Sequence, residues 1–248
     1  MSKLHVAVVS DVHGNRWALE AVLEDIQRRH VEEIVNLGDS VYGPLDPVGT
    51  AQLLIQNNIQ CIKGNQDGII CSPSSGKEEP QSLRIIRQSL SAETFKWLES
   101  LPRTAILHDN IFICHGTPAQ YDEYLLEAVT EHGVFLKRSE ELMSMLLSIK
   151  QSVVLCGHSH LQRVVSLPNG KLIVNPGSVG LPAYTDQKPL PHGIESGSPH
   201  ARYCIVAKDE VGWSIDNVAI PYDWESASAV AAAKDRPDWA RWIRAGRV

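Results

Sequence analysis

Short apolar runs that stop at Gly, Asp, Asn or His recur along this chain. The first run, Val6–Val9, leads directly into Ser10-Asp11-Val12-His13-Gly14. A continuous apolar run of this length is typical of a strand buried on both faces. Further strands are predicted over Glu33–Leu37, Ile59–Lys63, Ile111–Cys114 and Ser152–Cys156. In open α/β sheets ligands bind at the carboxyl ends of strands, so the polar residues at these ends are candidates for a functional site.

Helical periodicity separates the early strands. Leu19, Val22 and Ile26 fall on one face of a helix predicted over about Arg16–Arg29. The other predicted helices are Pro47–Gln56, Gln81–Leu90, Ala92–Ser100 capped by Ser91, Ser139–Lys150, and the Ala-rich tail after Tyr222, with Trp239 and Trp242 packing it back. Strands that alternate with helices form βαβ units, so the sheet should begin parallel or mixed.

The later part of the chain favours antiparallel pairs. Turn residues predict hairpins between Thr104–His108 and Ile111–Cys114, between Arg163–Leu167 and Lys171–Val174, and between Arg202–Ala207 and Trp213–Ile220. Pro- and Gly-rich composition predicts a mobile loop over Cys71–Pro80 and a long surface loop over Leu181–Pro199. Because no clear linker divides the chain, we predict one domain over residues 1–248, elaborated by a helical segment at about 80–101 and the loop 181–199.

Composition narrows the class of protein. The 248 residues are 43% hydrophobic and 21% charged, which are ordinary globular values, and the net charge is -6. This balance gives no overall basic field for nucleic acid or an anionic membrane, and no apolar run approaches the ~18 residues of a membrane span. The first strand begins so close to Met1 that we expect no signal peptide. Five cysteines without a C-x-x-C pair predict a reducing, cytoplasmic compartment and no disulfides.

Five strand ends combine tight-turn glycines with polar residues. These residues are Asp11 and His13, Asp39, Asn65, His115, and His158 with His160. Any one has an ordinary structural explanation; Asp11, for example, could cap the following helix beside a surface histidine. Carboxylates, amide oxygens and imidazoles are also metal-ligand types, and their repetition at strand ends favours a metal site.

The order of these motifs resembles the calcineurin-like metallophosphoesterase superfamily. The resemblance rests on the motifs D-V-H-G-N, G-D-S-V-Y-G, G-N-Q-D, H-G, G-H-S-H and N-P-G-S-V-G, which lie between Asp11 and Gly180. The resemblance is closest to small bacterial and archaeal members, which are related to phosphodiesterases and diadenosine tetraphosphate hydrolases. It implies an α/β (α+β) fold, a four-layer α/β/β/α sandwich of two mixed sheets flanked by helices.

The resemblance also implies a binuclear metal site. Asp11, His13 and His160 would hold one cation. Asn65, His115 and His158 would hold the other, with Asp39 bridging the two. Two divalent cations have four positive charges, and the two aspartates neutralise two of them. The remaining two positive charges suit a bridging hydroxide and a phosphate oxygen. Mixed nitrogen and oxygen ligation suits Mn, Fe, Zn or Co better than Mg.

This chemistry predicts a hydrolase. Cations ~3.5–4 Å apart can clamp the attacking and leaving oxygens of an in-line displacement. We therefore predict hydrolysis of phosphodiester or phosphoanhydride bonds in a small phosphorylated or nucleotide substrate, by attack of a metal-bridging hydroxide. Nuclease action on long nucleic acid is an alternative, but the chain has no basic stripe with interleaved aromatics, and stable nucleic-acid binding is not expected.

One position departs from the family pattern. Most members have G-N-H-[D/E], and that histidine protonates or steadies the leaving oxygen, whereas this chain has Gln66 after Asn65. An amide donates a hydrogen bond but delivers no proton, and a missing general acid costs ~10²–10⁴ in rate for poor leaving groups. Asp67 could orient Gln66 or cap a helix. The substitution leaves open a non-catalytic phosphate-ligand sensor or scaffold on the same fold.

Three further residues are substrate-side candidates. His200 could supply the missing proton. Arg202 could bind a substrate phosphate, or it could simply face solvent from its strand. Ser178 lies in the Asn175–Gly180 turn, where backbone N–H groups could bind phosphate. The sequence predicts neither the physiological substrate nor the oligomeric state.

Overall fold

The computed structural model describes residues 4–73 and 79–248, and two five-stranded mixed sheets lie at its centre. In spatial order, the first sheet contains β14 (Trp213–Ile220), β13 (Ala201–Lys208), β1 (Leu4–Val9), β2 (Glu33–Asn36) and β3 (Gln60–Cys61). The second contains β4 (Thr104–Leu107), β5 (Ile111–Cys114), β8 (Val153–Leu155), β10 (Leu172–Asn175) and β9 (Arg163–Ser166). Strands β1, β2 and β3 run parallel, as do β5, β8 and β10.

Helices and two small hairpins surround the sheets. The helices are α1 (Arg16–Arg28), α2 (Pro47–Gln56), α3 (Asn65–Cys71), α4 (Gln81–Ser89), α5 (Ala92–Ser100), α6 (Ser139–Met145), α7 (Trp224–Ala233) and α8 (Pro237–Ala245). The hairpins pair β6 (Glu127–Thr130) with β7 (Gly133–Leu136), and β11 (Ala183–Asp186) with β12 (His192–Glu195). In the described part of the chain, none of these helices is long and apolar enough to cross a membrane.

The alternation of side chains along β1 places it between two apolar layers. Val6 and Val8 face the second sheet and pack in a cluster with Ile113 and Leu155. Ala7 and Val9 face the opposite way, towards the buried side of α1. This double burial explains why the first strand is continuously apolar. The predicted arrangement of two mixed sheets flanked by helices is confirmed.

The structure corrects two sequence predictions and adds one hairpin. Residues 181–199, predicted as a surface loop, contain the β11–β12 hairpin, because Tyr184 and Ile194 pair across it and Ile194 is buried. The helix predicted over Ser139–Lys150 ends at Met145, and the β6–β7 hairpin was not predicted. The predicted cap is confirmed, since the Ser91 side chain accepts from the Thr94 N–H at 3.1 Å. The loop predicted over 71–80 lies partly outside the described residues, at 74–78.

Candidate metal centre

The predicted ligands converge where strands of the two facing sheets end. Donor atoms of Asp11, His13 and His160 all lie within 4.8 Å of one another. The closest approaches are 3.1 Å between Nε2 of His13 and Nε2 of His160, and 3.3 Å between Nε2 of His160 and Oδ1 of Asp11. These three side chains therefore form one potential cation site.

A second group of ligands lies beside the first. It contains Asp39, His115 and His158, whose donor atoms also lie within 4.8 Å of one another. Oδ1 of Asn65 lies 3.0 Å from Nε2 of His115, so the amide belongs to this group as well. Oδ2 of Asp39 is 3.4 Å from Nε2 of His115 and 4.0 Å from Nε2 of His13. The Asp39 carboxylate thus reaches towards both groups.

The backbone is strained where it carries these ligands. Asp11, His13, Asp39, His158 and His160 have φ values of 53°, 52°, 52°, 69° and 59°. Non-glycine residues adopt this left-handed conformation at a cost of about 1 kcal/mol or more each, and such residues concentrate at functional sites. Hydrogen bonds between the turns after β1 and β2 hold the conformation, including Asp11 N–H to Gly38 O at 3.0 Å and His13 N–H to Asp39 O at 2.9 Å.

Backbone carbonyls fix the orientation of three imidazoles. Nδ1 of His13, His115 and His160 lies 2.9, 2.8 and 2.6 Å from the carbonyl oxygens of Tyr42, Leu37 and Leu181. A carbonyl oxygen can only accept a hydrogen bond, so each of these Nδ1 atoms carries the hydrogen. In the neutral ring Nε2 then has a free lone pair. This is the arrangement usual for a histidine that binds metal through Nε2.

The donor set fits cations. Nε2 of His13 and Nε2 of His160 face each other at 3.1 Å, and with both Nδ1 atoms protonated two lone pairs oppose each other in the neutral rings. Oδ1 of Asp11 is buried without a hydrogen-bond partner among the described residues. A buried acceptor without a donor is costly, and a cation between these atoms would satisfy all of them.

The titration behaviour of the histidines is consistent with metal binding at neutral pH. Burial lowers the pKa of both His13 and His158 to about 4, so both rings are neutral at pH 7. A metal ion can therefore bind them without displacing a proton. Burial would also lower the pKa of His115, but the negative charge of Asp39 outweighs it and raises that pKa to about 9. Metal binding must therefore release a proton from His115, which makes the affinity of this group fall as the pH falls.

Glycines allow neighbouring turns to approach the ligands closely. A Cβ atom at Gly64 would lie 2.1 Å from Oδ1 of Asp39 and 2.3 Å from its backbone nitrogen. A Cβ atom at Gly157 would lie 2.1 Å from Oγ of Ser10 and 2.9 Å from Oδ2 of Asp11. The backbone around these carboxylates therefore leaves no space for a side chain.

We expect Gly64→Ala to lower the free energy of unfolding by about 1–3 kcal/mol, because the added methyl group displaces the Asp39 turn. The same displacement should reduce bound metal, which elemental analysis alongside thermal unfolding would measure. Gly193→Ala is a matched control, since the atom nearest its Cβ belongs to the side chain of the terminal Val248. Full metal content in Gly64→Ala would contradict the assignment of Asp39 as a metal ligand.

Gln66 and Asp67 occupy the first turn of α3. The Gln66 N–H donates to Oδ1 of Asp39 at 2.9 Å, and the Gln66 side chain lines a cleft of about 260 Å³ above the ligands. The Asp67 carboxylate accepts from the N–H groups of Ser40 at 3.0 Å and Gly64 at 3.1 Å, so it caps α3. Burial and the charge of Asp39 raise the pKa of Asp67 to about 6. Oε1 of Gln66 has no partner among the described residues.

The three substrate-side candidates occupy other positions. Oγ of Ser178 donates to the Asp11 carbonyl at 2.7 Å and accepts from the Leu181 N–H at 2.8 Å, so it braces the turn that carries a ligand. The Arg202 guanidinium donates to the carbonyls of residues 196, 198 and 200, and the His200 ring packs against Trp224 at 5.6 Å. The described residues that line the cleft include none of these three.

Aromatic residues that the sequence analysis did not assign to the site pack against the ligands. The Tyr184 ring centroid lies 4.5 Å from that of His160, and the Tyr124 centroid lies 4.7 Å from that of His158. The two tyrosine hydroxyls are 2.6 Å apart, and the Tyr184 hydroxyl donates to the His158 carbonyl at 3.2 Å. Tyr184 lies in the hairpin predicted as a loop, so no local pattern indicated its position.

The tail also reaches the cleft. Arg236, Trp239 and Trp242 line it, and the rings of Trp239 and His13 form a T-shaped pair with their centroids 5.9 Å apart. The sequence predicted that the tryptophans pack the tail against the domain, but not where. The contact with His13 spans most of the chain length, so only the tertiary structure reveals it.

Comparisons with known proteins find similar sequences and similar folds. A model of the calcineurin-like phosphoesterase superfamily domain matches residues 4–191. The chain is 28% identical to an uncharacterised protein of Methanocaldococcus jannaschii over 268 aligned positions, covering 96% of each chain. The structure of a metallophosphoesterase from Sphaerobacter thermophilus is similar with a TM-score of 0.76 and 23% identity, covering 98% of this chain and 100% of that one. A hypothetical protein from Pyrococcus horikoshii gives a TM-score of 0.72 at 18% identity, covering 98% of both chains.

Proposed function

This chain belongs to the calcineurin-like phosphoesterase superfamily, and we propose that it is a binuclear metal-dependent hydrolase of phosphodiester or phosphoanhydride bonds in small or nucleotide substrates. The observation that carries the proposal is the presence of two adjoining ligand groups with the Asp39 carboxylate between them. The first group is buried, as are Asp39 and His115 of the second, whereas His158 and Asn65 are partly exposed. Members of both groups line one cleft.

Each ligand has an assigned place in this proposal. Asp11, His13 and His160 hold one cation. The second cation is held by Asn65, His115 and His158. Two bound divalent cations would supply Lewis acidity and a hydroxide nucleophile near neutral pH. The nitrogen and oxygen donors favour Mn, Fe, Zn or Co as the native metals.

Gln66 is the residue that we place beside the leaving group. It lines the cleft, and its backbone N–H is anchored on Asp39, so its position relative to the ligands is fixed. Its amide can donate a hydrogen bond to a leaving oxygen, but it supplies no proton. Asp67 supports Gln66 only through the helix cap, because both of its oxygens accept backbone N–H groups. We therefore propose that the substrate has a leaving group that departs without protonation, such as a nucleoside phosphate.

The test is a substrate panel with the metal-replete enzyme. We expect kcat/KM to be ~10²-fold or more higher for bis(p-nitrophenyl) phosphate and dinucleoside polyphosphates than for alkyl phosphate esters, because only the alkyl esters need a general acid. Elemental analysis of the purified protein would first identify the metals to restore. Rapid turnover confined to alkyl esters would rule out this function.

A further inference from the structure

The α7–α8 hairpin supplies one wall of the cleft. α8 contacts strand β11, and Trp239 at its first turn lies against the ligand His13. Arg236 precedes α8 and lines the cleft beside these residues. A cationic side chain is therefore built into this wall of the cleft.

The Arg236 guanidinium is held in place with one edge free. Its Nε and Nη2 donate to the Asp238 carboxylate at 2.9 and 2.6 Å, and its carbon lies 5.4 Å from the ring centroid of Trp239. Nη1 has no hydrogen-bond partner within the described part of the chain, and 30% of the side chain is exposed. A guanidinium fixed in this way loses little entropy when it binds an anion.

Arg236 also differs in charge from its surroundings. Among the described residues it is the one lysine or arginine that lines the cleft, whose other acidic or basic side chains are Asp39, Asp186 and histidines. Oδ1 of Asp186 accepts from the N–H groups of Gln187 and Lys188, at 2.6 and 3.1 Å. The Asp238 carboxylate balances much of the Arg236 charge. With cations bound at the two ligand groups, the free Nη1 edge of Arg236 would still be a second and separate hydrogen-bond donor to an anion in the cleft.

A neighbouring groove continues beyond Arg236. It has a volume of about 320 Å³ and shares Arg236 with the metal cleft. Much of its wall is apolar, formed by Pro44, Leu45, Val48, Ile85 and Ile86. The amine of Lys234, which also lines the groove, donates to the Leu45 carbonyl. The path from the two ligand groups thus passes a guanidinium and then enters a mainly apolar groove.

We propose that Arg236 is a specificity-determining residue that binds a second anionic group of the substrate, a phosphate or carboxylate, while the scissile phosphate lies at the metals. The organic arm of the substrate then extends into the apolar groove. This inference rests on the proposed hydrolase function and adds the substrate class, which is a phosphoester or phosphoanhydride that carries a further anion.

A matched pair of substrates tests the inference. The p-nitrophenyl ester of thymidine 5′-phosphate is compared with the same ester carrying a 3′-phosphate, so leaving group and nucleoside are identical. We expect the wild-type kcat/KM to be about 10- to 100-fold higher for the 3′-phosphorylated ester, as for a charge-assisted hydrogen bond. Arg236→Gln should bring this ratio close to one, and Arg236→Lys should keep part of it.

Arg241→Gln is the matched control, because Arg241 is an exposed arginine of α8, the helix that follows Arg236, and does not line the cleft. It should keep the wild-type ratio. An equal loss on both esters in Arg236→Gln would overturn the inference, since Arg236 would then act on the scissile phosphate or on the fold. A wild-type ratio of one would overturn it as well.

Failure of the inference and failure of the proposed function are separable. Turnover of bis(p-nitrophenyl) phosphate by the metal-loaded wild type tests the hydrolase function without a second anion. If no ester is hydrolysed, calorimetry with thymidine 3′,5′-bisphosphate and thymidine 5′-phosphate measures the same preference at equilibrium. Tighter bisphosphate binding in wild type that is lost in Arg236→Gln supports the subsite, and equal affinities overturn it.

Discussion

Replacing Asp39 by asparagine is expected to remove bound metal and to lower the turnover of bis(p-nitrophenyl) phosphate by ~10³-fold or more, because metal-ion stabilisation of the transition state is worth several kcal/mol. Oδ2 of Asp39 reaches towards His115 and His13, which belong to different groups. Its Oδ1 accepts the Gln66 N–H. A neutral amide keeps the shape of the side chain but removes the negative charge shared by the two cations. Elemental analysis and initial rates measure both effects.

Asp109→Asn is the control for this variant. Asp109 is exposed in the turn between β4 and β5 and has a φ of 59°, a conformation that asparagine adopts readily. It should retain full metal and full turnover. If Asp39→Asn lost its metal while every measured turnover stayed the same, the chain would be a phosphate-ligand sensor rather than a hydrolase. Retention of metal in Asp39→Asn would contradict the bridging position of Asp39.

The individual ligands could be predicted from the sequence because each one follows a local pattern. Asp11 and His13 follow a strand that is buried on both faces, and the turn that places them is encoded within a few residues. The structure then brings together the ends of strands whose apolar runs the sequence already shows. The resemblance to a known family supplied the pairing of ligands into two groups, which no local pattern contains.

The walls of the cleft could not be predicted in the same way. Trp239 reaches His13 only because α8 packs against β11 and α7. Arg202 was a candidate phosphate-binding residue because it is a cation on a strand, but its guanidinium donates to carbonyls of the loop at 196–200. These contacts depend on the path of that loop. Residues 181–199 were predicted as a loop because Pro and Gly mark turns, whereas the pairing of Tyr184 with Ile194 forms a hairpin.

A histidine at position 66 is expected to raise the turnover of alkyl phosphodiesters by ~10²-fold, at the lower end of the range for general acid catalysis. An imidazole on this first turn of α3 would enter the cleft where Gln66 does and could deliver a proton to the leaving oxygen. The gain stays near that lower end because Asp67 already accepts the Ser40 and Gly64 N–H groups and is not free to orient the ring. The measurement is kcat/KM of Gln66→His against wild type on alkyl and p-nitrophenyl diesters.

The pH dependence of that gain gives an independent check on the role of position 66. The partial positive charge at the start of α3 lowers the pKa of an imidazole placed there, and bound cations would act in the same direction. Only the protonated ring is an acid, so the advantage of Gln66→His on alkyl diesters should grow as the pH falls from 8 to about 6. Gln66→Asn, which keeps an amide, should show no advantage at any pH. A gain of equal size on p-nitrophenyl diesters, which need no proton, would show that position 66 acts on binding rather than on the leaving group.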